Sequence, residues 1–177
     1  ENAGGSFACR QVIDRLTRFY TERKVQPYAD YAPSRQGGEE MDEARTRMAA
    51  MLGVETDELS FGPSTTQNTY VLAQAFAQMM QPGEAIIVTN QDHEANSGPW
   101  RRLAERGIEV REWQIDPSTG HLAPEDLEPL LDERVRLVCF PHCSNVVGEI
   151  NPVVEITALA HAAGAFVCVD GVSYAPH

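Results

Sequence analysis

Positive charge is scarce in this sequence. Its 177 residues hold 14 lysines and arginines against 26 aspartates and glutamates, a formal net charge of -12, and only one of the basic residues, Lys24, is a lysine. A polyanion partner needs a clustered basic surface, so nucleic acid is excluded and a small-molecule ligand is expected. No run approaches the roughly 20 apolar residues of a membrane span, and the opening ENAGGSFACR lacks the regions of a signal peptide, which predicts a cytosolic protein with no membrane partner. Cysteine is sparse and unpaired in pattern. Cys9, Cys139, Cys143 and Cys168 form no CxxC, so no metal site and no disulfide framework is expected, and the cysteines inside apolar strands read as buried small hydrophobes. Internal repeats and low-complexity tracts are absent. The first residue is Glu1 rather than Met, from which a longer polypeptide is expected.

What is present suits one sizeable core: 42% hydrophobic and 23% charged residues are ordinary for a globular domain of this length. The sequence divides into a helical segment, 1–57, and an α/β core, 58–177, on which the helical segment is expected to pack. The helical segment predicts one helix from an N-cap at Ser6 through Arg23, with Val12, Leu16, Phe19 and Tyr20 on one face. A second runs from Glu39 to a stop at Gly53, with Met41, Ala44, Met48 and Met51 on its face, and Tyr28–Gly38 between them reads as a loop. In the core, short strands ELSF, EAIIVT, IEVREWQI, VRLVCF and AFVCVD alternate with helices at residues 64–80, 97–107, 123–133 and 152–164. Alternation of this kind predicts right-handed crossovers and a mainly parallel sheet covered on both faces, a three-layer α/β/α architecture.

Open α/β sheets bind ligands at the carboxyl ends of their strands, so the segments FGPSTTQN, TNQDHEANSGPW, FPHCSN and VDGVSYAPH are where function is sought. FGPSTTQN leads hydroxyls and free N–H groups into a helix N-terminus, which suits a phosphate, although Ser64 or Thr65 acting as a plain N-cap suits the pattern too. The segment has neither the Walker GK[ST] nor the GxGxxG of a dinucleotide site. His93 follows a strand directly and can offer a flat ring or a titrating nitrogen. Asn145, beyond His142 and Ser144, can donate to an anionic oxygen or shape an Asx turn. Asp170 ends an apolar strand at Gly171, and a carboxylate there is costly unless a cation meets it. A phosphate cradle, a stacking ring, a donor to a phenolic oxygen and a carboxylate for a cationic ring nitrogen are together what pyridoxal 5'-phosphate requires.

GPSTTQN, DHEAN, HCSNVVGEINPV and LAHAAGAFVCVDG resemble the class V aminotransferases, fold-type I pyridoxal-phosphate enzymes that include cysteine desulfurases, isopenicillin-N-epimerase-like proteins and kynureninases. The resemblance covers nearly the whole chain and implies most of a large cofactor domain. It implies that Ser64, Thr65 and Thr66 hold the phosphate, that His93 stacks on the ring and acts in catalysis, and that Asn145 bonds the phenolic oxygen. Asp170 is implied as the catalytic partner of the ring nitrogen, with Ser173 and His142 beside it. A homodimer acting on a small amino acid through a Cα carbanion or a related intermediate is implied as well. Ser173 stands where desulfurases carry glutamine, and His93-Glu94 replaces their double histidine, which implies a desulfurase-like branch rather than the sulfur-mobilising enzymes themselves. The family's cofactor-anchoring lysine is expected shortly beyond His177, so that residues 1–177 alone would be inactive. A doubly wound nucleotide-binding domain and a non-catalytic homologue remain the alternatives at this point.

Overall fold

Residues 5–175 are described by the computed structural model, and they fall into two compact units that divide between Phe61 and Gly62. In the first unit, α1 (Arg10–Arg18) continues into a π-helical turn, Phe19–Arg23, and α2 spans Ala32–Leu52. Ser6 does not cap α1. The carbonyl of Cys9 accepts from the N–H groups of Val12 and Ile13, so the helix starts later than its hydroxyl predicts. The expected loop is also partly helix: Ala32–Gly38 belongs to α2. Pro33 sits in the first turn, where its missing N–H removes nothing. The absent side chain of Gly38 makes room for the Tyr28 ring, which a Cβ would approach to 2.7 Å. This glycine serves packing rather than a turn. Gly53 does end α2 in the left-handed conformation, at φ 71°.

The expected strand Glu58–Phe61 does not form. Thr56–Glu58 is a 3-10 turn closed by a capping box between Glu55 and Glu58, and Phe61 is exposed. Four strands build the sheet of the second unit: β1 (Ala85–Thr89), β2 (Glu109–Trp113), β3 (Val135–Pro141) and β4 (Phe166–Asp170), all parallel, in the order β2-β1-β3-β4. Ahead of β1 lies α3 (Thr65–Met79), while α4 (Glu94–Arg101), α5 (Pro124–Leu127) and α6 (Val153–Ala162) supply the crossovers. Pro129 stands in a 3-10 turn directly after α5, which keeps that helix to four residues.

Alternation along the strands sorts the core into two layers. Ile86 and Val88 of β1, with Leu137 and Cys139 of β3, pack under Ala73 of α3 and Trp100 of α4. Their neighbours Ala85, Ile87, Val138 and Phe140 face the other way, against Trp113, Leu127, Ile156 and Ala160. All five residues of β1 are buried, as a strand covered on both faces demands. Each such branched side chain contributes roughly 1.5–3 kcal/mol by leaving water. The chain steps from β1 to β2 in one direction and then from β2 past β1 to β3 in the other, so the crossovers lie on opposite faces. A crevice opens where the direction reverses, between the carboxyl ends of β1 and β3.

Ser64 caps α3, its Oγ accepting from Gln67 N–H at 3.2 Å. Ser64→Ala is expected to lower the stability of the apoprotein by about 1 kcal/mol, measured as the urea midpoint.

Candidate functional site

At the mouth of β1 and β3 a buried amide network fixes the loops. The Asn151 Nδ2 donates to Gln91 Oε1 and to the Pro141 carbonyl, both at 2.7 Å, and Gln91 Nε2 donates to the Gly120 carbonyl at 2.9 Å. Gln91 and Asn151 are both nearly fully buried, so these bonds act where water does not compete. Ser144, also buried, uses its hydroxyl to accept from Val146 and Val147 N–H, so it is Ser144 that shapes the turn after β3. The neighbouring Asn145 is exposed, with its amide unengaged among the described residues.

The next strand is tied to this frame through its backbone. Pro141 and Asp170 are register partners, and His142 N–H donates to the Asp170 carbonyl at 2.8 Å. The His142 ring stacks on Tyr174, centroids 3.6 Å apart and planes at 23°. Asp170 is half-buried. One of its carboxylate oxygens accepts from Val172 N–H at 2.9 Å, and no lysine or arginine pairs with it among the described residues. Ser173, next in the chain after Val172, is partly buried.

His93 sits at the other side of the crevice as the N-cap of α4, where its Nδ1 accepts from Ala95 N–H at 3.0 Å. That helix therefore begins at Glu94, earlier than the expected start near Asn96 or Ser97. The capping bond leaves Nε2 as the protonated nitrogen of the neutral ring. His93 and Thr66 line one cleft of about 360 Å³, together with Tyr70, Glu94 and Arg102. Thr65 and Thr66 are the first two residues of α3, and their N–H groups find no acceptor among the described residues. The structure thus brings Thr66 to His93, and His142 to Asp170.

Asp92 belongs to the first of these groups, and its role is not evident from the sequence. Its carboxylate accepts from His93 N–H at 2.8 Å and from the Asn96 side-chain amide. Burial pushes its pKa up to about 7, and the charge of Asp170 adds to the rise, against the Asn96 and His93 hydrogen bonds that oppose it. The available signal was its place three residues past the end of the buried strand β1. Cys139 and Cys168 are register partners directly beneath. Burial holds the Cys139 thiol well up, while its hydrogen bond with Cys139 draws that of Cys168 down.

The open N–H groups of Thr65 and Thr66 fit a phosphate, and Asp170 with its free oxygen fits a protonated ring nitrogen. Lys24, the single lysine, lies in the first unit, over the Tyr20 ring at 5.2 Å. No helix of the described residues is long and apolar enough to cross a membrane, and no cluster of three or more potential metal ligands occurs among them.

Comparison with known proteins gives the family and the fold. The family described as Aminotransferase class-V matches residues 1–177. An aminotransferase-like protein of Gibberella zeae is 39% identical over 184 residues, and a cysteine desulfurase of Serratia proteamaculans is 35% identical over 181. Each alignment covers 100% of this chain but 45% and 44% of those proteins, so the chain spans less than half their length. The crystal structure of the cysteine desulfurase CsdA from Escherichia coli superimposes with a TM-score of 0.84 at 25% identity, covering 99% of this chain and 45% of that one.

Proposed function

Because the chain belongs to the class V aminotransferase family, whose members are pyridoxal-phosphate-dependent enzymes, we propose that its full-length form holds pyridoxal 5'-phosphate and breaks a bond at the Cα or in the side chain of a small amino acid. The observation that carries this reading is Asp170. It ends an apolar strand, keeps one carboxylate oxygen free and has no cationic side chain against it among the described residues. A carboxylate so placed calls for a positively charged ligand.

The residues then have distinct tasks. Thr65 and Thr66 offer N–H groups at the start of α3, where the helix dipole adds to their attraction for phosphate. His93, oriented by its capping bond, presents a flat ring. Asn145 has an unengaged amide to donate to a phenolic oxygen, and Asp170 accepts from a ring N–H and keeps that proton in place. When bound, pyridoxal phosphate supplies an electron sink for the pair left at the substrate carbon. The Gln91–Asn151–Ser144 network holds the strand ends still so that these groups stay in position.

The full-length protein, purified with pyridoxal phosphate supplied, is expected to be coloured, with a visible absorbance band that shifts on addition of small L-amino acids. A colourless protein that instead binds NAD or ATP in a calorimetric titration would overturn the proposal.

A further inference from the structure

Between β2 and α5 the chain makes a turn, Asp116–His121, that is closed on itself. Gly120 N–H donates to the Asp116 carbonyl at 2.7 Å and Asp116 N–H to the His121 carbonyl at 2.9 Å, while the Asp116 carboxylate accepts from the N–H and the hydroxyl of Ser118. This turn docks on the turn after β3 at three points. The Gly120 carbonyl accepts from the buried Gln91 amide at 2.9 Å, His121 Nδ1 lies 3.1 Å from Glu149 Oε1, and the Cα of Gly120 faces Val147 so closely that a Cβ would meet its Cγ1 at 2.8 Å. Val147 and Glu149 are bonded in turn to Ser144: Val147 N–H donates to its Oγ at 3.2 Å, and its own N–H donates to the Glu149 carbonyl at 2.9 Å. Asn145 follows Ser144 directly and makes no side-chain bond of its own among the described residues. Its place is therefore set by the turn that carries it, and that turn is braced from outside by Gly120 and His121.

We propose that Gly120 is a positioning residue: by carrying no side chain it lets the turn after β2 seat against Val147, and so fixes where Asn145 presents its amide. This rests on the pyridoxal-phosphate reading above and on the task Asn145 has in it. Two features of Gly120 make the contact depend on glycine. Its φ of 78° is left-handed, and the space beside its Cα is already filled by a valine methyl. Valine is branched at Cβ and stiff about χ1, so it does not fold aside as a long side chain would. Which turn gives way follows from how each is held. Gly120 belongs to the self-closed turn and is tied to Gln91, which is nearly fully buried, whereas Val146 and Val147 are exposed. A methyl group added at Gly120 therefore moves the turn after β3, and with it Asn145.

The test is the affinity of the full-length apoprotein for pyridoxal phosphate, by absorbance titration, with urea midpoints taken alongside. Gly120→Ala is expected to weaken binding roughly 3- to 10-fold, the loss of one hydrogen bond from Asn145. In an Asn145→Ala background, where that bond is already gone, the same change is expected to cost less than about twofold. Its effect on the urea midpoint is expected to be equal in both backgrounds, because the strain of a left-handed alanine does not involve Asn145. Adding Val147→Ala to Gly120→Ala leaves room for the new Cβ and is expected to restore affinity to within about twofold of wild type. Unchanged affinity in Gly120→Ala or in Asn145→Ala, an equal loss in both backgrounds, or a loss that Val147→Ala does not restore would each overturn the inference and leave the cofactor reading intact. Failure of wild type to bind pyridoxal phosphate at all would end both. Should Gly120→Ala not fold, Val147→Ala alone decides, since it loosens the same contact from the other side without backbone strain. A loss of about twofold or more that vanishes in the Asn145→Ala background supports the inference, and no loss, or the same loss in both, refutes it.

Discussion

Asp170→Asn in the full-length protein is expected to lower kcat/KM by on the order of 10²- to 10⁴-fold while leaving the apoprotein folded. The size comes from the cost of leaving a buried charge without its partner, about 3–5 kcal/mol, at 1.36 kcal/mol for each tenfold change in rate. Asparagine is the informative replacement. Its amide oxygen still accepts from Val172 N–H, so the turn after β4 survives, and only the charge is lost. A role confined to capping that turn predicts that asparagine is tolerated and that alanine, which removes the acceptor, is not. A role in holding a ring proton predicts that both fail in turnover and that only alanine costs stability as well. Steady-state kinetics and urea midpoints of the two variants separate these. Turnover of the asparagine variant within about threefold of wild type would refute a charged partner for Asp170.

The parts of the fold legible in the sequence are those where one local signal outweighs everything else. β1 and β3 are almost wholly apolar, and no other arrangement buries such runs on both faces. Gly53 stops α2 because only glycine takes its left-handed conformation without strain. Reading failed where the outcome depended on a distant partner. Gly37 and Gly38 look like a loop until Tyr28 is seen lying against Gly38, and Glu58 looks like the start of a strand until its capping box with Glu55 is seen. The candidate site divides in the same way. The strand-end rule led directly to His93, Asn145 and Asp170. It did not reveal that His93 caps its own helix, which depends on a rotamer, or that burial raises the Asp92 carboxyl, which depends on how the loop after β1 is covered.

Burial of the Asp92 carboxyl has a measurable cost in the apoprotein, and its sign is fixed. The carboxyl of Asp92 titrates near 3.8 when unfolded and at about 7 when folded, so between these values the folded state holds more protons than the unfolded one. Stability therefore falls as pH rises through that window and levels off above it. The full difference amounts to on the order of 4 kcal/mol, an upper bound because burial in the unfolded ensemble and relaxation of the folded one both reduce it. Asp92→Asn removes the charge and can keep both hydrogen bonds: its oxygen accepts from His93 N–H, and its amide can donate to the Asn96 oxygen once that side chain turns over. The variant apoprotein is expected to match wild type near pH 4.5 and to exceed it by about 1–4 kcal/mol at pH 8, read from urea unfolding at the two pH values. Parallel pH profiles for the two proteins would show that Asp92 ionises freely in the fold. A stabilising substitution at this position would mean that the fold keeps a carboxyl there at a cost in stability, as a site selected for something other than stability does.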